Sequence, residues 1–169
     1  PDAVLFLNEY NLENIPAKGA TFLRLVERLL KLGAPIDGIG TQSHLDIDIP
    51  TGQITGFMRD AASLGLPIHV SELDFPMQRD GRMPDLRSTA DKRTRQASRV
   101  GELAEAFAAL PERQRYAFTT WGLRDIDSWL VREGRSRDSP LLLDAEGRGN
   151  PAYQAVVDAF AKGPAATTP

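Results

Sequence analysis

Cysteine is absent from the 169 residues, which excludes a disulfide framework, a thiolate metal site and a cysteine nucleophile, and removes the usual clue to redox compartment. An excess of positive charge is also missing: 20 Lys and Arg stand against 23 Asp and Glu, a net charge of −3. Phosphate-backbone affinity rests on such an excess, so nucleic acid is not an expected partner. No apolar run approaches the roughly 20 residues that a membrane span requires, and no membrane partner is expected. Histidine is scarce, with only His44 and His69. Strand periodicity puts His69 inside or at the far end of its strand from His44, so no catalytic metal is predicted. No Gly-rich phosphate turn follows the first strand-like run, and no cofactor is expected. The chain begins Pro1-Asp2-Ala3, with neither an initiator Met nor a signal-peptide pattern, and ends in a Pro/Thr-rich stretch. Both ends read as cut, with residues 163–169 expected to be a linker or disordered tail.

What is present is an ordinary globular balance, 41% hydrophobic and 25% charged, long enough to bury one proper core in a single domain over residues 1–162. Val4-Leu5-Phe6-Leu7 reads as a strand buried on both faces. After Pro16, the spacing of Phe22, Leu25, Val26, Leu29 and Leu30 predicts a helix stopped at Gly33. A second, Gly-weakened strand spans 36–42, a second helix runs from Ile54 to Leu64, and a third strand over 67–71 delivers Glu72-Leu73-Asp74. A polar loop over 76–84, a helix over about 86–110 and a strand over 116–121 follow. The last helix starts at Pro151, with Tyr153, Val156, Val157 and Phe160 on one face. Strand and helix alternate four times, which implies an α/β fold of parallel strands with helical crossovers. An open doubly wound sheet would be complete at this length, whereas a closed barrel of eight strands would be half present. The pattern leaves both open.

In either architecture the carboxyl ends of the strands share one face, so Asn8, Gln42, His44, Glu72, Asp74 and Trp121 should converge there. Glu72, fixed at the end of a buried strand, is the candidate nucleophile. His44 can donate to one of its oxygens and Asp74 can orient the imidazole, keeping the glutamate ionised and aimed. Trp121 and Trp129, the only two tryptophans, flank Arg124, Asp125 and Asp127 on a loop. Flat aromatic faces beside carboxylates and an amide such as Gln42 suit a sugar, whose C–H faces stack while its hydroxyls find polar side chains.

Five motifs then point to one family: residues 7–13 (Leu7-Asn8-Glu9-Tyr10-Asn11-Leu12-Glu13), 36–45 (ending Thr41-Gln42-Ser43-His44-Leu45), 71–74 (Ser71-Glu72-Leu73-Asp74), 121–129 (Trp121-Gly122-Leu123-Arg124-Asp125-Ile126-Asp127-Ser128-Trp129), and Pro140-Leu141-Leu142-Leu143-Asp144 leading to Pro151-Ala152-Tyr153. Together they resemble the family-10 glycoside hydrolases, the endo-β-1,4-xylanases, from about Ala3 to Ala161. The resemblance implies the carboxyl-terminal (β/α)4 half of a (β/α)8 TIM barrel. It also implies Glu72 as nucleophile with His44 and Asp74 as its partners, Gln42 reaching the sugar, Trp121 and Trp129 walling it, and Tyr10 and Asn11 further along the cleft. Such enzymes retain configuration through a glycosyl-enzyme intermediate and need a second carboxyl as acid/base. That glutamate would precede the first strand and be missing here. Glu9 is not its substitute, because its motif falls one strand too late; a supporting loop carboxylate is the expectation for it.

The resemblance further implies xylan or a xylo-oligosaccharide as ligand, a secreted and extracellular location, and a covering partner: the missing amino-terminal half barrel or a self-paired dimer. A non-catalytic carbohydrate-binding or scaffold half barrel is the alternative. Joint retention of Glu72, His44 and Asp74 argues against it, since a binder needs no oriented carboxylate.

Overall fold

The computed structural model describes residues 2–78, 85–134 and 137–163. Four parallel strands, β1 (Phe6–Glu9), β2 (Gly38–Thr41), β3 (Ile68–Leu73) and β4 (Arg115–Thr120), lie side by side in chain order. Helix α1 (Pro16–Lys31) joins β1 to β2, α2 (Gln53–Ala62) joins β2 to β3, and α3 (Thr89–Ala108) joins β3 to β4. A short α4 (Trp129–Arg132) and α5 (Pro151–Lys162) follow. A doubly wound sheet reverses its strand order at a switch point. Here the order never reverses, so right-handed crossovers all cover the same face. That is the winding of a (β/α)8 barrel, with four of its units present.

The two faces of the sheet have different surroundings. Ile39, Ile68 and Val70 turn towards the helices and are buried with Val26, Ile54, Met58 and Leu103. Phe118 of β4 packs edge-on against Phe107 of α3 and Phe160 of α5, with ring centroids 5.5 Å away in both cases. Phe6, Asn8, Gly38, Gly40 and His69 alternate onto the opposite, concave face. There Phe6, His69 and Tyr116 form a cluster with centroids 4.5 to 6.0 Å apart. A Cβ at Gly38 would lie 2.2 Å from the Phe6 ring, and one at Gly40 would lie 2.5 Å from the Asn8 side chain. The glycines that weaken β2 as a strand therefore make room for side chains crossing over it.

Several expectations are corrected by the packing. β1 occupies Phe6–Glu9 rather than 4–7, and it is not buried on both faces: Val4 is 57% and Leu5 48% exposed. The reason is topological, since β1 is an edge strand paired only with β2. β3 extends through Leu73, so Glu72 belongs to the strand rather than following it. Helix α3 begins at Thr89 because Ser88 caps it, its hydroxyl accepting from Asp91 N at 3.1 Å while the Asp91 carboxylate accepts from Ser88 N. On α5, Tyr153 and Val157 are 42% and 40% exposed, and the packed face runs through Ala152, Val156 and Ala159, with Phe160 at its margin, 40% exposed but in ring contact with Phe107 and Phe118. Small residues let α5 approach α3 so closely that a Cβ on Gly101 would sit 3.3 Å from Ala155 Cβ. Leu25 likewise turns outward from α1. Within the expected loop over 76–84, residues 79–84 lie outside the described residues, as do 164–169 of the expected tail.

Gly40→Ala should cost about 1–3 kcal/mol of stability, the usual range for overpacking, and should displace Asn8. Urea denaturation checks this, and a variant as stable as the parent would show that Asn8 can yield without penalty.

Candidate active site

The strands deliver their polar residues to one rim, as the barrel winding requires. Glu72 sits near the end of β3, and its side chain is 15% exposed. Asn8 of β1 donates from Nδ2 to Glu72 Oε1 at 3.3 Å, and accepts at Oδ1 from Ser71 Oγ at 3.1 Å. His44 addresses the other oxygen, with Nε2 3.4 Å from Glu72 Oε2. The remaining ring nitrogen, Nδ1, lies 2.9 Å from Asp74 Oδ1, close enough for a charge contact though off the line of a hydrogen bond. Asp74 is buried, and its second oxygen accepts from Trp129 Nε1 at 2.9 Å.

Backbone pairing holds this arrangement beyond the sheet proper. Glu72 N donates to Gln42 O at 3.1 Å, and Leu45 N donates to Asp74 O at 3.0 Å, so β2 and β3 stay in register as they leave the sheet. Trp121 N donates to Leu73 O at 2.9 Å, which brings the first tryptophan to the same rim. The His44 ring meets Trp121 at 6.3 Å and Trp129 at 6.0 Å, both edge-on. The side chain of Gln42 makes no hydrogen bond among the described residues.

The protonation state of His44 follows from its neighbours. Burial alone pulls the imidazole pKa down, but Asp74, followed by Glu72, outweighs it and holds His44 above its ordinary value. His69 behaves oppositely: burial lowers its pKa against the opposing charge of Glu72, and its Nε2 lies 3.0 Å from Thr119 Oγ1 on the concave face.

A cleft of about 220 Å³ opens beside this cluster, lined among others by Tyr10, Asn11, Asn14, His44, Asp74 and Trp129. A second hollow on the far side of Trp129 is lined by Trp121, Asp127 and Arg132. The two hollows share Trp129 as a wall, and the His44 and Asp74 that border the first are the neighbours of Glu72. The model for Glycosyl hydrolase family 10 matches residues 1–159. The chain belongs to glycosyl hydrolase family 10. It is 37% identical over 163 residues to endo-1,4-beta-xylanase C of Paenibacillus barcinonensis, an alignment covering 94% of this chain and 15% of that protein. With endo-1,4-beta-xylanase A of Cellvibrio japonicus it shares 35% identity, over 95% of this chain and 28% of the relative. A thermostable mutant of a Cellvibrio japonicus xylanase superposes with a TM-score of 0.83 at 34% identity, over 96% of this chain and 50% of that one. A Thermobacillus composti xylanase superposes at 0.79 and 38% identity, over 94% of this chain and 53% of the other. The chain thus spans about half of these solved family-10 structures.

Other candidates in this family-10 chain are less tightly gathered. Tyr10 is half exposed, with Lys18 Nζ 3.5 Å above its ring centroid. Asn11 adopts φ +58° and accepts at Oδ1 from Asn14 Nδ2 at 2.8 Å. Glu9 accepts from Tyr10 N at 2.8 Å and Lys18 Nζ at 3.1 Å, which lowers its pKa, the backbone N–H contributing most. A general acid is favoured by the reverse shift, and the contacts of Glu9 stay within its own loop and the start of α1. Among the described residues no cluster of three or more His, Asp or Glu is arranged to hold a metal.

Three supporting groups escape a reading of the sequence. The amide contact of Asn8 depends on the β1–β3 distance across two strands, which no spacing encodes. Asp125 is buried, accepting from Leu141 N at 2.9 Å and from Ser139 Oγ, and so ties the tryptophan loop to the segment after it. Gln96 of α3 donates to the carbonyls of Phe75 and Ser139, both at 2.8 Å, and so secures that segment and the chain just after Asp74. Glu13, fully buried in the loop after β1, carries the one available signal: a charge set between Leu12 and the Ile15-Pro16 helix start.

The His44 shift has a definite sign. Its folded pKa lies above the unfolded value of about 6.5, so the stabilisation is fully present below that pH and is lost as the pH rises through the raised value. The stability gap between the parent and His44→Gln should narrow over that window in denaturation curves; a gap independent of pH would contradict the contacts with Asp74 and Glu72.

Proposed function

We propose that this chain carries the nucleophile half of a retaining endo-β-1,4-xylanase active site, with xylan or a xylo-oligosaccharide as substrate. The observation behind this reading is the pair of contacts to Glu72, an amide N–H on one oxygen and an imidazole on the other. Donors on both oxygens stabilise the carboxylate form and aim one lone pair outward. Glu72 attacks the anomeric carbon, the bond to the leaving oxygen breaks, and a covalent glycosyl-enzyme ester forms, which water later hydrolyses. His44 and Asp74 hold the nucleophile, Gln42 hydrogen-bonds the sugar it attacks, and Trp121 and Trp129 stack on its faces. Tyr10 and Asn11 extend the cleft on the leaving-group side. Polymeric xylan lies outside the cell, and an extracellular site of action follows from that substrate.

The leaving oxygen must be protonated by a second carboxyl about 5–5.5 Å from the first. Glu9, the nearest candidate by motif, has the wrong pKa shift for it. We assign the acid/base to an amino-terminal half barrel that closes the sheet against the free edges of β1 and β4. Exposed Val4, Leu5, Tyr116, Tyr153 and Val157 are apolar surface that such a half would cover. Two copies of this chain could close the same barrel, but would bring two nucleophiles and no acid. Without the acid, hydrolysis by the chain alone should fall by about 10²–10⁴-fold.

An activated aryl 2-fluoro-xylobioside separates these steps, because its leaving group departs unaided. Mass spectrometry should find Glu72 esterified in the chain completed by an amino-terminal half barrel of a family relative, and no adduct in Glu72→Gln. Sugar binding without an adduct would favour a non-catalytic carbohydrate-binding scaffold, and neither binding nor adduct would overturn the assignment. Sedimentation of the chain alone should give a monomer that pairs with the added half; a stable homodimer would favour self-closure.

A further inference from the structure

Glu13 takes no part in the chemistry described above, yet it is fully buried beneath the site. Its Oε1 accepts two short hydrogen bonds, from Thr41 Oγ1 and Ser43 Oγ, both at 2.6 Å, while Oε2 has no hydrogen-bond partner. Burial raises its pKa against the opposing effect of these two hydroxyls and of His44. Leaving a carboxyl in such a place is costly unless the geometry that it enforces matters.

That geometry concerns the residues around His44. Ser43 adopts φ +56° and Asn11 φ +58°, and these are the only non-glycine residues with positive φ among those described. Left-handed backbone at such residues costs of order 1 kcal/mol or more and persists only where the surroundings impose it. Glu13 holds Ser43 by its hydroxyl. The next residue, Asn14, holds the other side of the turn: its Nδ2 donates to His44 O at 2.7 Å and to Asn11 Oδ1 at 2.8 Å, and its Oδ1 accepts from Asp46 N at 3.0 Å. Gln53 of α2 in turn donates from Nε2 to the carbonyls of Glu13 and Asn14, at 2.7 and 3.1 Å. Two consecutive side chains from the β1 loop thus hold the Ser43 hydroxyl and the His44 carbonyl, on either side of the His44 Cα.

We infer that Glu13 and Asn14 form a clamp that positions His44, so that Glu13 is a positioning residue for the nucleophile Glu72. The inference rests on the role given to Glu72 under Proposed function. The clamp works through Ser43: its left-handed turn, set within the continuing β2–β3 pairing, fixes the direction in which the imidazole leaves the backbone, so that Nε2 and Nδ1 find Glu72 and Asp74 on β3 and just beyond it. Released, Ser43 relaxes towards extended backbone and the ring leaves its two carboxylates. Glu72 then keeps only the Asn8 contact.

Ser43→Ala, Glu13→Met and Glu13→Gln test this in the chain completed by an amino-terminal half barrel, with 2-fluoro-xylobioside trapping as readout. Displacing a reactive group by about 1 Å costs roughly 10²-fold in rate. Ser43→Ala and Glu13→Met should therefore slow the limiting rate of Glu72 trapping by about tenfold to a hundredfold, with a smaller change in half-saturation. Glu13→Gln keeps an acceptor for both hydroxyls and should recover most of the rate. In parallel, NMR titration of His44 in the chain by itself should show its pKa moving down towards the ordinary value in Ser43→Ala and Glu13→Met. A trapping rate and a His44 titration matching the parent in folded Ser43→Ala would overturn the clamp, and that variant removes a single oxygen, so the outcome does not hang on Glu13→Met folding. Absence of trapping in the parent itself would instead count against the nucleophile, while the His44 titration, which needs no sugar, still decides the clamp.

Discussion

One imidazole between two carboxylates organises this rim. Glu72 and Asp74 stand two residues apart at the end of one strand, and both carboxyl groups face the same ring. His44 lies between them with a nitrogen towards each, and the two carboxylates hold its pKa above the ordinary value against the effect of burial. Its position depends on the β2–β3 ladder continuing past the sheet, through Glu72 N to Gln42 O and Leu45 N to Asp74 O. Trp129 completes the set by donating to the far oxygen of Asp74. Loss of register here therefore moves Glu72, His44 and Trp129 together.

Local rigidity is supplied from behind. Trp129 is the first residue of α4, which Ser128 caps by accepting from Leu130 N at 3.2 Å. The preceding turn is fastened by buried Asp125 and its partners Leu141 and Ser139, and Ser139 is reached from α3 by Gln96 and by Arg93, whose Nη2 donates to Ser139 Oγ at 2.6 Å. The aromatic wall is thus anchored to the helix layer by polar contacts in addition to apolar packing. Buried polar networks of this kind specify one geometry when every member is satisfied.

Much of this was legible beforehand, for physical reasons. Alternating strand and helix periods gave the parallel α/β pattern, because apolar spacing of two or of three to four is written directly in the residues. Glu72, His44 and Asp74 could be gathered because parallel strands send their carboxyl ends to one face. Periodicity alone did not separate an open sheet from a barrel, since strand order is a property of the pairing rather than of any one segment; the five family motifs did, and the unreversed order agrees with them. Edge effects were hidden in the same way: Val4 and Leu5 look like core until β1 is seen to lack a second neighbour. Tyr153 and Val157 misled because bulk suggested burial, whereas the α3–α5 contact selected alanines and Gly101 for closeness. Glu13 and Asn8 act across strands, and such contacts leave no periodic trace.

The unreversed strand order has a consequence for how the chain reaches this state. Each βα unit touches chiefly the units adjacent to it in sequence, so the ladders can zip one after another without a distant segment having to arrive first. Each crossover still has to close before its two strands can pair, but the entropy of closing a loop grows only slowly with its length. Among the described residues, the edges left without a strand neighbour are the outer margins of β1 and β4.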